Sequence, residues 1–307
     1  MSRFSRQSFL GAGSERRLAD ATIGIVGLGG GGSHIVQQAG HVGIGGYVLV
    51  DPDHITETNT NRLIGGTLAD LETEARPAAT KVAISERLLH GLLEKPRIVA
   101  LHKSWHDATE KLKLCDIIIG AVDSIIERDQ LERFARRHLI PYLDIGMDVH
   151  PLPGGEFLVS GQVVLSTPGH ACLRCCGIVT DERLTEEARK YGAAGEAPQV
   201  VWSNGVLAST AVGLIVQLLS PWFRSTQNFV YLDYDGNQGT LVPNMRMELY
   251  QQRVCPHHPA EETGDPLFDI RDYSRGVVER EAARIAAAAL PPIKPRWWLA
   301  LWRSLFG

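Results

Sequence analysis

The sequence lacks the features that would place it outside ordinary globular chemistry. It has no excess of positive charge. Its 31 Lys and Arg stand against 35 Asp and Glu, a net charge of -4, so nothing marks the surface as a nucleic-acid binder. No segment reaches the roughly 18 consecutive apolar residues that a membrane span needs. Met1 to Arg6 leads into a polar stretch rather than the apolar core of a secretory signal. Cysteine is sparse: there are five, an odd number, and three lie within Cys172 to Cys176. That bunching argues against a disulfide framework and for a metal site in a reducing compartment. The expectation is a cytoplasmic protein with no membrane span and no nucleic-acid partner. A local basic cluster, Arg133, Arg136, Arg137 and His138, is expected to form a solvated helix face.

What is present is enough chain for a full-sized core: 307 residues, 44% of them hydrophobic. Thr22 to Val26 reads as a short β-branched strand, followed by a helix from about Gly32 to Gly40. Tyr47 to Val50 is a second apolar strand ending on Asp51, which completes a βαβ unit with a parallel sheet. Lys81 to Leu93 has helical periodicity, Asp116 to Ile119 reads as a buried strand, Glu127 to His138 as a helix and Tyr142 to Ile145 as a strand. Unbroken apolar runs of this kind suit parallel strands buried on both faces. Beyond Pro151 the alternation of Phe157 to Ser166 suggests antiparallel strands, and Phe229 to Asp233 with Gly239 to Val242 suggests a hairpin pair. Thr180 to Pro198 is polar, and Val200 to Ser220 is a long apolar helix stopped by Pro221. The fold class expected is α/β: a Rossmann-like, mostly parallel sheet with helices on both faces, extended by antiparallel strands and a structural zinc site.

Residues 1–260 are expected to form one domain and 261–307 an extension. In the extension, Val277 to Ala289 reads as a helix, Pro291 to Pro295 breaks it, and an aromatic tail runs from Trp297 to Phe306. The tail is too short to span a bilayer. It suits a strap on the domain or dimer, a docking segment for a partner such as a conjugating enzyme, or a weak interfacial membrane contact.

The loop Gly27-x-Gly29-x-x-Gly32 lies between a strand and a helix. Gly27 permits the tight turn, Gly29 lets backbone approach a phosphate or ribose, and Gly32 lets helix and strand pack closely. Asp51, about 20 residues on, suits ribose hydroxyls. Alone, this fingerprint favours NAD and an oxidoreductase. Asn59, Arg62 and Lys81, with Arg6 ahead of the first strand and Asp123 past the third, shift the reading toward ATP. Attack on an α-phosphate needs cations where charge builds, and Asp123 with Asp53 suits Mg²⁺.

Arg3-Phe-Ser-Arg6-Gln7, the glycine loop, Val50-Asp51-Pro-Asp53, Asn59-Thr-Asn-Arg62, Lys81 and Ala121-Val-Asp123 with Arg128 follow in one order. With the metal motif below, this series resembles the ThiF/MoeB/HesA adenylyltransferases, relatives of the activating half of ubiquitin-activating enzymes. The resemblance spans roughly residues 1 to 260. It implies nucleotide at Gly29, ribose at Asp51, phosphates at Asn59, Arg62 and Lys81, and Mg²⁺ at Asp123. It also implies a homodimer in which Arg6 reaches the neighbouring subunit's ATP. The stretch from Arg62 to Lys81 is longer than the family pattern. The implied substrate is the C-terminal glycine carboxylate of a ubiquitin-like or sulfur-carrier protein.

Cys172-x-x-Cys175 and Cys255-x-x-His258 each set two ligands two residues apart, the spacing of a closed structural zinc site. His257 is the other choice for the fourth ligand, although it breaks that spacing. A thioester step is not expected, because no cysteine lies between Cys176 and Cys255. Release or direct hand-over of the adenylate fits better than acylation of Cys176, Ser203 or Ser209. The rival readings are an NAD-linked oxidoreductase and a non-catalytic zinc-stapled scaffold.

Overall fold

The structure is a computed structural model that describes residues 3–190, 198–223, 228–251, 253–276 and 279. Helix α1 (Ser14–Asp20) leads into strand β1 (Thr22–Val26), helix α2 (Gly30–Val42) and strand β2 (Gly46–Val50). Then come α3 (Lys81–Leu92), β3 (Arg97–Leu101), α4 (Thr109–Leu112), β4 (Ile117–Gly120), α5 (Ile125–Arg137), β5 (Tyr142–Pro151) and β6 (Phe157–Ser166). The described chain closes with α6 (Leu173–Cys176), α7 (Asp181–Lys190), α8 (Val201–Leu219), β7 (Val230–Asp235), β8 (Thr240–Pro243) and α9 (Arg246–Tyr250).

The strands form one sheet in the order β3-β2-β1-β4-β5-β6-β7-β8. The first five run parallel and the remaining pairings are antiparallel. Right-handed crossovers send α2 and α3 to one face, because the chain moves outward from β1 to β3. The chain turns the opposite way from β4 to β5, so α5 covers the other face. Helix α8 packs on α2 and on β5 and β6, whereas α5 packs on β4, β5, α6 and α7. The strand order reverses between β1 and β4, where α/β sheets leave a crevice at the carboxyl ends of their strands.

Several elements differ from the sequence expectation. Strand β3 is an edge strand that the sequence expectation leaves out, although Ile98 to Leu101 is an unbroken apolar run; its residues are partly buried, with Arg97 exposed. Strand β5 runs on past Ile145 to Pro151, paired residue for residue with β6. Its burial fades from Gly146 onward while its backbone pairing continues, which hydropathy cannot report. The polar stretch after Thr180 holds α7. Helix α8 is long and apolar enough to cross a membrane by length and composition, and 44% of that window is buried within the fold.

The basic cluster is not a solvated face. Arg136 is 1% exposed and donates to Ser166 Oγ at 3.2 Å and to the carbonyls of Thr167 and His170. Arg133 and Arg137 pair with Glu262 at 3.1 and 3.0 Å. Arg136 thus donates to acceptors of a turn about 30 residues on, and Arg133 and Arg137 to a carboxylate further still, roles that only long-range packing creates.

By compactness the chain divides into Met1–Phe268 and Asp269–Gly307. The expected helix after Val277 and the aromatic tail lie outside the described residues, apart from residue 279.

Candidate active site

A cleft of about 400 Å³ opens where β1, β2 and β4 end. Gly27 leaves β1 at φ +86°, where a side chain is strained, and any Cβ there would strike the Ala121 carbonyl. A Cβ on Gly32 would land on the Gly27 carbonyl, so the turn closes onto its own helix only with glycine at both places. Gly29 caps α2 without a side-chain hydrogen bond and has open space beside its Cα. The first amides of α2 therefore face the cleft, the arrangement that favours an anion.

Asp51 ends β2 and ties this turn to it. Its Oδ2 accepts from the Leu28 amide at 2.6 Å and its Oδ1 from the Asp53 amide at 2.8 Å. Burial pushes its carboxyl above the ordinary range, against the pull of Lys81 and those two amides. Each oxygen keeps a second lone pair for a further hydrogen-bond donor.

Lys81 is the first residue of α3, and Thr80 Oγ1 caps that helix by accepting from Ala83. Its Nζ lies 2.7 Å from Asp53 and 3.9 Å from Asp51. The long excursion from Arg62 to Lys81 returns to its starting point: Ile55 bonds to Ala79 and the Lys81 amide to the Asp53 carbonyl at 3.0 Å. Ile55, Leu63 and Ile84 pack beneath it. The extra length is a surface detour and leaves Lys81 on the cleft wall.

Asn59 ends a 3-10 turn and accepts from the Thr56 amide, while Arg62 follows and donates to the Thr58 carbonyl at 2.5 Å. Asp123 stands just past β4, with Oδ1 accepting from Gln199 Nε2 at 2.9 Å. Gly27, Gly29, Asp51, Asp53, Asn59, Arg62, Lys81 and Asp123 all line the one cleft. Gly32 sits behind it, packed on Gly27. Arg6 does not line it; it is exposed on the 3-10 turn Ser5–Leu10.

Among the further cleft residues, Arg128, Gln199 and Asn204 have no role assigned from the sequence. Arg128, quoted there only as part of a motif, forms a buried 2.7 Å pair with Asp144. Gln199, just before α8, and Asn204, in its first turn, come about 80 residues after Asp123, and no local spacing points to them.

The cysteine pairs meet on the far side of α5. The Sγ atoms of Cys172 and Cys175 are 3.7 Å apart, and those of Cys175 and Cys255 are 3.8 Å apart. His257 Nδ1 lies 3.5 Å from Cys172 and 3.4 Å from Cys175. A tetrahedral zinc ion with bonds of about 2.3 Å to sulfur and about 2.0 Å to nitrogen has edges of about 3.8 and 3.5 Å. The donor set fits that ion with His257 as the fourth ligand, where the regular spacing had suggested His258. His258 turns instead toward Glu132, 3.9 Å away. Burial, with Arg136 and Arg133 nearby, holds its imidazole down to about 3, so it is neutral. Glu132 is fully buried and accepts from the Leu173 amide at 3.0 Å, which anchors the turn bearing Cys172 and Cys175.

Among the hydroxyl and thiol alternatives, Cys176 is buried, with burial pushing its thiol up, and Ser203 is buried against Tyr234. Ser209 is exposed and bonds back to the Gly205 carbonyl. None of them lines the cleft.

A switch-point cleft with a glycine turn, an acid on β2, and Asn59, Arg62, Lys81 and Asp123 around it coincides with a family match over residues 2–257. The chain belongs to the ThiF family. It is 24% identical over 298 residues to ubiquitin-like modifier-activating enzyme 5 of Drosophila persimilis, covering 87% of this chain and 73% of that protein. It is 30% identical over 134 residues to the tRNA threonylcarbamoyladenosine dehydratase of Haemophilus influenzae, covering 42% of this chain and about half, 49%, of the dehydratase. The fold matches that of Escherichia coli MccB in its crystal structure with ATP, with a TM-score of 0.63 at 16% identity over 88% of this chain and 74% of MccB. This ThiF-family chain therefore shares a sheet and its switch point with a protein crystallised with ATP.

Proposed function

We propose that this ThiF-family chain is an ATP-dependent adenylyltransferase that activates the C-terminal glycine carboxylate of a ubiquitin-like or sulfur-carrier protein. The observation that carries the reading is the gathering of Asn59, Arg62, Lys81 and Asp123 around one glycine turn. A hydride-transfer site has no use for that set.

In the reaction, a carboxylate oxygen of the substrate attacks the α-phosphorus of ATP. The bond from that phosphorus to the bridging oxygen breaks, and pyrophosphate leaves with the electron pair. Positioning and charge stabilisation supply the catalysis. Asp51 holds the ribose, and the α2 amides with Asn59, Arg62 and Lys81 take up the phosphate charge. ATP relieves Lys81 of Asp53, freeing that carboxylate as a hard oxygen donor beside Asp123. The fit to Mg²⁺ rests on those carboxylates at the cleft. Bound there, the ion would neutralise charge on the phosphates.

The same reading includes zinc on Cys172, Cys175, Cys255 and His257 as a structural staple. It also includes a cytoplasmic homodimer in which Arg6 completes the neighbour's site, and direct hand-over of the adenylate in place of a thioester. The extension from residue 261 would serve a conjugating-type partner.

The test is ATP–pyrophosphate exchange in the presence of a ubiquitin-fold protein ending in glycine. Asp123→Ala and Arg62→Ala should each lower exchange by about 10²- to 10³-fold. Exchange unchanged in both variants, or saturable affinity for NADH with none for ATP, would overturn the assignment.

A further inference from the structure

The cleft has two unlike sides. In the sheet order, β2 flanks β1 on one side and β5 flanks β4 on the other. The charged residues Asp53, Arg62 and Lys81 follow β2, so they share one side. The opposite side is built by Ile145, Gly146 and Met147 of β5 with Asn204 and Leu207 of α8. Arg128, its cation among the described residues, is already committed to Asp144. Beyond Asp123 and Glu127, which follow β4, that side is lined by apolar and amide groups and suits an extended segment of main chain.

Asn204 stands out there. It is 5% exposed, and its Nδ2 has no hydrogen-bond partner among the described residues. An unsatisfied buried amide is costly, and native proteins keep few of them without a reason. It lies over the N-terminus of α2: a Cβ on Gly30 would collide with that Nδ2, and one on Gly31 would come within 3.5 Å of Oδ1. Glycine at 30 thus leaves room for a carboxamide above the turn that faces the cleft. A buried, unpartnered side-chain donor thus lies against the first turn of α2, within the lining of the cleft on its β5 side.

We infer that Asn204 holds the acyl end of the substrate, donating from Nδ2 to the oxygen of the terminal residue that stays outside the new bond to phosphorus. The inference deepens the adenylation reading and rests on it. Asn204 orients the carboxylate so that its other oxygen meets the α-phosphorus, and the same hydrogen bond persists to the carbonyl oxygen of the acyl-adenylate. It acts on the acyl oxygen and leaves the phosphate charge to the α2 amides, Asn59, Arg62 and Lys81.

The experiment compares two ligands by calorimetry. One is AMP; the other is a sulfamoyladenosine acylated with N-acetylglycine, a stable mimic of a glycyl adenylate. Asn204→Ala should weaken the acyl mimic about tenfold and leave AMP within about twofold. Asn204→Asp, equal in size but without the donor and carrying a negative charge, should weaken the mimic further and again spare AMP. Retained AMP binding shows that each variant is folded. Equal losses for both ligands would make Asn204 a structural or phosphate-side residue, and no loss for either would exclude it from the site; both results overturn the inference. A wild-type chain that binds neither ligand would bring down the adenylation reading itself, and this inference with it.

Discussion

His257 and His258 are adjacent, and nothing in their local sequence separates them except spacing. The fold separates them completely. His257 Nδ1 lies at tetrahedral edge distances from Cys172 and Cys175, in one cluster with Cys255, while His258 is buried toward Glu132. His257→Ala is expected to weaken zinc retention by about 100-fold or more, because a ligand is lost outright. His258→Ala should keep its zinc and lose stability instead, since it leaves a gap beside a buried carboxyl. Metal analysis after dialysis against a chelator distinguishes the two. Zinc kept by the first variant and lost by the second would reverse the ligand assignment.

Among the elements, the detour between Arg62 and Lys81 sets how the cleft wall is held. Its midpoint is fastened by Asp70, which accepts from Arg87 at 2.7 and 2.8 Å and from Thr67. Arg87, helped by Thr67, holds the Asp70 carboxyl well below the ordinary carboxylate range. A depressed carboxyl contributes stability that is fully present above the unfolded value of about 3.9 and is lost as pH falls through the folded value. The chain should therefore lose stability in acid below about pH 4. Asp70→Asn should be less stable at neutral pH and show a flatter decline in that acid window. Urea unfolding at a series of pH values checks this; parallel curves for variant and wild type would remove Asp70 from the account. Lys81 should also become more mobile in Asp70→Asn, raising KM for ATP more than it lowers kcat.

At the scale of the whole molecule, the homodimer proposal makes a claim that one chain cannot satisfy. Arg6 is exposed and outside the cleft of its own chain, while Asp123 is inside it. If Arg6 acts across the dimer, Arg6→Ala and Asp123→Ala chains are each inactive alone but complement when co-expressed. Random pairing makes about half the dimers mixed, each with one intact site, so exchange activity should recover to about one quarter of wild type. Recovery no greater than the sum of the two inactive chains would place Arg6 in its own subunit's chemistry or outside the reaction. A monomer in solution would end the proposal earlier.

By itself, the sequence determined four of the five parallel strands, β1, β2, β4 and the start of β5, because strands buried on both faces must be apolar without interruption. It also determined the glycine turn with Asp51, since backbone clearance and an acid at a strand end are local requirements. The order of Asn59, Arg62, Lys81 and Asp123 was legible as well, and the fold brings all four to one cleft. Only the tertiary structure decided what depends on partners far away in the chain. The buried role of Arg136 rests on turns about 30 residues on. The outer half of β5 is held by backbone pairing that hydropathy does not record. The choice of His257 depends on where two cysteines about 80 residues earlier come to rest. Asn204 is the furthest from legibility: a single uncharged amide in an apolar helix gains meaning only when its unpaired nitrogen is seen above Gly30.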